Sequence, residues 1–174
     1  MGLVHIYCGD GKGKTSAAVG LAVRAAGCGK RVVIARFLKT DNSGEVEILK
    51  KIPEVTLIPC RKTFGFVRSM DEETKRECAA YHRELFGEAV KLAEHADLVV
   101  FDEIMAAVNY GMVPERDVLE FLENRPGRDQ TDGLEIVLTG RDPSEKLIAA
   151  ADYVSEICKR KHPFDRGIMA RRGV

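Results

Sequence analysis

The stretch "CGDGKGKT", residues 8–15, decides the fold, because it joins a short apolar run to a helical pattern. The run is "LVHIY" (3–7), and small residues at helical spacing predict a helix over 14–26. A glycine-rich loop between a buried strand and a helix is typical of parallel α/β proteins, in which ligands bind beyond the carboxyl ends of the strands.

The composition of the loop indicates a phosphate site. Gly9, Gly11 and Gly13 let backbone N–H groups approach an anion closely, and the following helix N-terminus adds about half a positive charge. Lys14 brings a point charge to phosphate oxygens, and the Thr15 hydroxyl suits a magnesium ion. A triphosphate is therefore the expected ligand of this loop.

The loop departs from the frame G-x-x-x-x-G-K-[ST] because Cys8 stands at its first glycine. The remaining glycines still supply the bend, so we interpret it as a variant P-loop. Asp10, Lys12 and Ser16 are expected in the nucleotide site with the residues above. Lys12 either helps to neutralise the phosphates or points into water.

Further apolar runs alternate with helical patterns along the chain. A long helix follows Asp71 to about Ala93, and Asp142 is predicted to cap another helix. We expect one domain over 1–174: an α/β P-loop (RecA-like) fold, with a mostly parallel six-stranded sheet and helices on both faces. The other predicted strands are "RVVIARF" (31–37), "VTLIP" (55–59), "DLVVFDE" (97–103), "LEIVLT" (134–139) and "DYVSEI" (152–157).

Polar residues at the ends of these strands are candidates for the same site. Asp102 and Glu103 follow four apolar residues, a Walker-B-like arrangement, and one of them, in the first place Asp102, is expected to hold the metal with Thr15. Arg141 and Lys39 either reach phosphate or pair with carboxylates.

Bulk composition excludes several classes of protein. Lys plus Arg and Asp plus Glu number 27 each, so no net charge favours nucleic acid. No apolar stretch approaches the roughly 20 residues of a membrane span. The five cysteines are widely spaced and lack a C-x-x-C pair, which argues against disulfides and zinc and is typical of the cytoplasm.

The residues alone leave the reaction open. A guanine-nucleotide switch is disfavoured, since no N-K-x-D motif is present. A small-molecule kinase and an enzyme that transfers the adenosyl group of ATP both remain.

The chain resembles the P-loop ATP:corrinoid adenosyltransferases over nearly its whole length. Each shared segment is weak by itself, but their order and spacing are specific. The segments are "GDGKGKTSAAVGLAVRAAGCGKRV" (9–32), "RFLK" (36–39), "GE" (44–45), "FDEI" (101–104), "RPG" (125–127), "VLTGRDP" (137–143), "AADYVSEI" (150–157) and "KHPFDRGIMARRGV" (161–174).

The resemblance implies a reaction and partners. Co(I) of a reduced corrinoid, such as cob(I)alamin, attacks C5′ of ATP, and triphosphate leaves. The nucleophile belongs to the corrinoid, so the protein binds, orients and stabilises charge. Lys14, Thr15 and Glu103 are then the candidate catalytic residues. The resemblance further implies Mg²⁺, an electron-donating flavoprotein and a homodimer. A kinase, or an ATP-regulated corrinoid-binding protein without turnover, is the alternative.

Some segments depart from the family pattern. "FGFVRS" (64–69) offers Phe64 and Phe66 to cover the lower corrin face, but Arg68 stands where relatives can carry a second aromatic residue. A local core cluster explains the two phenylalanines equally well. Many members of this family begin with an extra N-terminal helix, and we expect none in this sequence, which starts close to its first predicted strand. His162 in "KHPF" is expected to be structural, because an axial imidazole would oppose four-coordinate cobalt.

Overall fold

The computed structural model describes residues 2–128, 132–169, 171 and 173. Six strands form one sheet, in the order β3-β2-β4-β5-β1-β6, and all neighbouring strands are parallel. The parallel α/β class predicted from the sequence is thus confirmed. The strands are β1 (Val4–Cys8), β2 (Val32–Arg36), β3 (Val55–Leu57), β4 (Leu98–Asp102), β5 (Glu135–Thr139) and β6 (Tyr153–Glu156).

Helices connect the strands. They are α1 (Lys14–Gly27), α2 (Gly44–Leu49), α3 (Glu72–Ala93), α4 (Ile104–Asn109), α5 (Glu115–Glu123) and α6 (Glu145–Ala149), with 3-10 turns at Val67–Ser69 and Pro163–Arg166. Within the described part of the chain, no helix is both long and apolar enough to cross a membrane. Part of the predicted 125–133 loop, residues 129–131, lies outside the described residues.

The helices pack on both faces of the sheet because successive strand residues point to opposite sides. On one face, Ala18 and Ala22 of α1 pack against Val32 and Ile34 of β2. Their short side chains let α1 lie close to the strands. On the other face, α3 and α5 cover a larger cluster that includes Phe37 and Phe101. Central strands such as β2 and β4 are buried throughout, which explains why the first four residues of each are apolar; each ends on a buried charged residue, Arg36 or Asp102.

One predicted helix cap was wrong. Ser144, not Asp142, caps α6, and its Oγ accepts a hydrogen bond from the Leu147 N–H at 3.2 Å. Asp142 lies in the left-handed region at φ 51°, so it belongs to the turn that leaves β5. The cap predicted for the long helix is present, since the Asp71 carboxylate accepts from the Thr74 N–H at 2.8 Å.

Candidate nucleotide site

The loop between β1 and α1 requires its glycines. Gly9 and Gly13 have φ of 104° and 124°, which side-chain-bearing residues rarely adopt. A Cβ at Gly9 or Gly11 would lie 2.5 or 2.6 Å from the Ile157 carbonyl oxygen. The glycines therefore allow both the bend and the close approach of a second chain segment, the residues that follow β6.

That second segment braces the loop through backbone contacts. The Ile157 carbonyl accepts from the Gly11 N–H at 2.7 Å, and the Ile157 N–H donates to the Cys8 carbonyl at 2.8 Å. The Lys159 N–H donates to Asp10 Oδ1 at 2.7 Å, and this bond is the main cause of the lowered pKa of the Asp10 carboxyl. The Gly11 amide, which the sequence argument directs toward the anion, is thus engaged by Ile157.

Lys14 closes the loop from within. Its Nζ donates to the carbonyl oxygens of Gly9 and Gly11, both at 2.8 Å, and the residue is buried. Burial lowers the pKa of the Lys14 ammonium, and the nearby Arg141 charge lowers it further. An anion beside Lys14 would relieve both effects, so the loop is built to gain electrostatic stabilisation from a phosphate.

A buried carboxylate lies next to the loop, at the end of β4. Asp102 is 2% exposed. Its Oδ1 accepts from the Thr15 hydroxyl at 3.0 Å and from the Thr139 hydroxyl at 2.7 Å. Lys39 forms an ion pair with Asp102 Oδ2, and its Nζ also donates to Thr15 Oγ1 at 2.8 Å. The ends of β1, β2, β4 and β5 therefore meet in one polar cluster.

Glu103 is directed away from Asp102 by its backbone. It lies just beyond β4 with φ 64° and ψ 24°, and its N–H donates to Thr139 Oγ1 at 2.8 Å. Because β4 ends at Asp102, Glu103 does not follow the alternation of a strand, and both carboxylates lie at the same edge of the sheet. Asp102 contacts Thr15, and Glu103 lines the cavity above the loop.

A cavity of about 410 Å³ opens above the loop, a volume within the range of small-ligand sites. Arg141 lies at its edge and donates to the Asp10 carbonyl at 3.2 Å. Cationic side chains outnumber carboxylates in the lining, which favours an anion. The lining residues are Asp10, Gly11, Lys12, Gly13, Lys14, Thr15, Ser16, Glu103, Arg141 and His162.

The donor set around Asp102 fits a magnesium ion held jointly with a phosphate. The Thr15 hydroxyl and the Asp102 carboxylate are hard oxygen donors 3.0 Å apart, and a cationic group, the Lys39 ammonium, already contacts both. Among the described residues, no group of three or more His, Cys, Asp or Glu side chains forms a metal site. The arrangement suits a metal that takes most of its ligands from water and substrate.

The aromatic segment after β3 divides into two parts. Phe64 packs with Tyr81 and His82 at ring-centroid distances of 5.7 and 6.4 Å, and so joins the core. Phe66 is 87% exposed. Phe66 is therefore the residue of this pair that is free to contact a ligand.

His162 has a defined hydrogen bond. Its Nδ1 accepts from the Phe164 N–H at 3.2 Å and caps a 3-10 turn, which agrees with a structural histidine. His162 also lines the cavity. The five cysteines are free thiols in this structure.

Sequence reasoning missed two residues that shape the site. Thr139 hydrogen-bonds to both acidic residues, to the Asp102 carboxylate and to the Glu103 N–H. The sequence feature that could have indicated this role is a hydroxyl residue at the end of the apolar run "LEIVLT". Ile157 braces the loop through its backbone, which leaves no trace in side-chain pattern.

A parallel sheet with a glycine-rich loop and an acidic strand end at its carboxyl edge defines a class, the α/β proteins that bind phosphorylated ligands. Comparison with known proteins narrows this class. Residues 1–174 match the family described as ATP:corrinoid adenosyltransferase BtuR/CobO/CobP, and the chain belongs to that family. It is accordingly an ATP:corrinoid adenosyltransferase.

Individual relatives agree with this assignment. The chain is 34% identical to the corrinoid adenosyltransferase of Escherichia coli K12, over 99% of this chain and 85% of that protein. It is also 34% identical to the corrinoid adenosyltransferase CobA of Salmonella typhimurium LT2, with the same coverage. The Pseudomonas aeruginosa corrinoid adenosyltransferase is 31% identical, over 99% of this chain and 83% of that protein.

Proposed function

We propose that the cavity above the loop holds the triphosphate of ATP and that the chain's residues make it a good leaving group. The observation that carries this proposal is the position of Lys14, a buried ammonium that donates to two neutral loop carbonyls and, among the described side chains, to no carboxylate. Lys14 and Arg141 stabilise charge on the departing triphosphate, and the N-terminus of α1 adds to their effect.

Mg²⁺ would be held by Thr15 and Asp102, together with phosphate oxygens. When bound, the ion would neutralise part of the charge that develops on the triphosphate. Thr139 keeps the Asp102 carboxylate oriented. Glu103 lines the cavity, where it orients the nucleotide or the water around it. Gly9, Gly13, Lys12 and Ser16 complete the phosphate contacts.

The reaction is a displacement at carbon. Co(I) of the corrinoid supplies the electron pair that forms a bond to C5′ of ATP, and the C5′–O bond breaks as triphosphate departs. No nucleophile is needed from the chain, and none of the described residues that line the cavity is a cysteine. Phe66 covers one face of the corrin, and Phe64 supports the segment from the core.

Several features of the whole protein complete the proposal. Residues 1–174 form a single domain that acts as a homodimer. The five free thiols favour the reducing cytoplasm. An electron-donating flavoprotein reduces the corrinoid, because Co(I) must be generated before each transfer.

One incubation separates this function from the alternatives. The protein is mixed with ATP, Mg²⁺ and chemically reduced cob(I)alamin. Equal amounts of triphosphate and light-sensitive adenosylcobalamin are expected. ADP with a phosphorylated acceptor would instead identify a kinase, and corrinoid binding without turnover would identify a carrier.

Lys14 gives the sharpest test of the assigned roles. Lys14→Ala is expected to lower turnover by about 10²-fold or more, since a positive charge that stabilises the departing triphosphate is lost. Lys75→Ala is the matched control, because Lys75 is a partly exposed lysine of α3 that forms an ion pair with Glu72 and does not line the cavity. Circular dichroism checks that the Lys14 variant is folded. Near-normal turnover in a folded Lys14 variant would remove the role proposed for this residue.

A further inference from the structure

Lys39 lies where a cation for the triphosphate is expected. Its ammonium contacts Asp102 Oδ2 and lies 2.8 Å from Thr15 Oγ1. Thr15 in turn donates to the other carboxylate oxygen, at 3.0 Å. Both donors proposed for the metal are therefore already engaged by one positive charge, supplied by the chain itself.

The backbone before Lys39 holds it in this position. The Phe37 N–H donates to the Asp102 carbonyl at 2.9 Å and continues the pairing of β2 with β4. Leu38 then adopts φ 53°, in the left-handed region that a branched side chain rarely occupies. This turn directs the next residue, Lys39, back toward the end of β4.

The backbone after Lys39 is also fixed. The Arg36 side chain is 1% exposed, donates to the Thr40 carbonyl at 3.0 Å and forms an ion pair with Asp41. Asp41 Oδ1 additionally accepts from the Cys60 N–H at 3.2 Å. The β2–α2 loop, residues 37–43, is thus held on both sides of Lys39, and these contacts fix the position of the Lys39 backbone.

A divalent cation and the Lys39 ammonium cannot occupy this place together. Each needs the oxygen atoms of Asp102 and Thr15, and two like charges repel strongly at such a separation. Since Asp102 is nearly inaccessible to water, it needs a positive partner in the free protein as well.

We infer that Lys39 is a placeholder for the divalent cation: it neutralises Asp102 in the nucleotide-free protein and is displaced when a metal–triphosphate complex binds. Once displaced, its ammonium is within reach of the same triphosphate. The free protein then binds divalent metal weakly, and metal and nucleotide enter together. The inference rests on the proposed function for the identity of the phosphorylated ligand and for the metal held by Thr15 and Asp102.

Direct titration of the free protein with Mn²⁺ tests the first half of this inference. The readout is the electron paramagnetic resonance signal of unbound Mn²⁺, with no ATP or corrinoid present. Lys39→Met keeps the length of the side chain and removes its charge. We expect this variant to bind Mn²⁺ at least about tenfold more tightly than the wild type, because the competing cation is gone.

Two variants assign the effect to this place. Lys12→Met removes a charge from the same cavity but not from the Asp102 contact, so it is expected to change Mn²⁺ affinity only about twofold through screened electrostatics. Adding Asp102→Asn to Lys39→Met is expected to abolish the gained affinity. Equal Mn²⁺ affinity in Lys39→Met and wild type, or equal gains in Lys39→Met and Lys12→Met, would overturn the inference.

The second half is tested by linkage between metal and nucleotide. ATP affinity is measured by calorimetry with Mg²⁺ and with a chelator. Because coupling is reciprocal, the Mg²⁺-dependent gain in ATP affinity should be smaller in Lys39→Met than in wild type. An unchanged gain would refute the placeholder role. Loss of adenosyl transfer with these binding results intact would count against the proposed function alone.

Discussion

Thr139→Val should destabilise the protein although valine has nearly the shape of threonine. The Thr139 side chain is fully buried, accepts from the Glu103 N–H at 2.8 Å and donates to Asp102 Oδ1 at 2.7 Å. Valine would leave the N–H without its acceptor, at a cost of about 1–3 kcal/mol. It would also remove one hydrogen bond to a charged group, which contributes about 1.5–3 kcal/mol.

The net loss is expected near the lower end of this sum. Lys39 still pairs with Asp102 and the Thr15 hydroxyl still donates to it, so we expect a loss of about 2.5–4 kcal/mol in the free energy of unfolding. For a chain of this size that loss corresponds to a fall of roughly 5–15 °C in Tm. Urea unfolding followed by circular dichroism measures the free energy, and calorimetry measures Tm. Turnover should fall on the order of tenfold as Asp102 loses its orientation.

Thr139→Ser is the matched control. Serine keeps the hydroxyl and loses a methyl group, at a cost of about 1 kcal/mol. Ordinary hydrophobic burial would make valine the milder substitution, whereas the hydrogen-bond argument makes serine the milder one. A Thr139→Val protein as stable as Thr139→Ser, or more stable, would refute the reasoning.

Further predictions concern glycine positions and pH. Gly9→Ala should lower the free energy of unfolding by about 2 kcal/mol or more, because φ is 104° and the new Cβ would meet the Ile157 carbonyl. Gly20→Ala should instead raise it by about 0.5–1 kcal/mol, because this position lies in α1 with open space around it. Urea unfolding measures both changes. Burial lowers the pKa of His82 from 6.5 to about 4. Between these two pH values the unfolded chain binds a proton at His82 that the folded chain does not, so the free energy of unfolding should fall by up to about 3 kcal/mol as the pH drops from 6.5 to about 4. His82→Leu should flatten this slope, and an equally steep profile in the variant would contradict the assignment.

The sheet was predictable because its strands carry a direct physical signal. β2 and β4 are buried on both faces, and this favours the runs of four apolar residues, "VVIA" and "LVVF", with which they begin. The long helix α3 could be predicted from its length and from Asp71, which caps it. Short helices such as α2 and α4 have only six residues each, too few for a helical period to emerge, and the sequence argument did not find them.

The site was predictable only where side-chain chemistry marks it. Thr15 and Asp102 lie in contact because the carboxyl ends of parallel strands share one edge, and Lys14 is the neighbour of Thr15 in the loop; their role in binding a nucleotide stays a prediction. The contact between Lys39 and Asp102 could not be chosen from sequence, because a lysine there serves phosphate or carboxylate equally well. The role of Ile157 is carried by backbone atoms that every residue possesses.

The brace that Ile157 and Lys159 give to the loop has a consequence for synthesis on the ribosome. Asp10 and Lys159 are 149 positions apart in the chain, so the segment that braces the loop is synthesised well after the loop itself. At about 5–20 residues per second, these 149 residues take roughly 7–30 seconds to make, and the loop lacks its brace during that time. The geometry that suits a phosphate is therefore completed only after β6 and the residues that follow it have been synthesised.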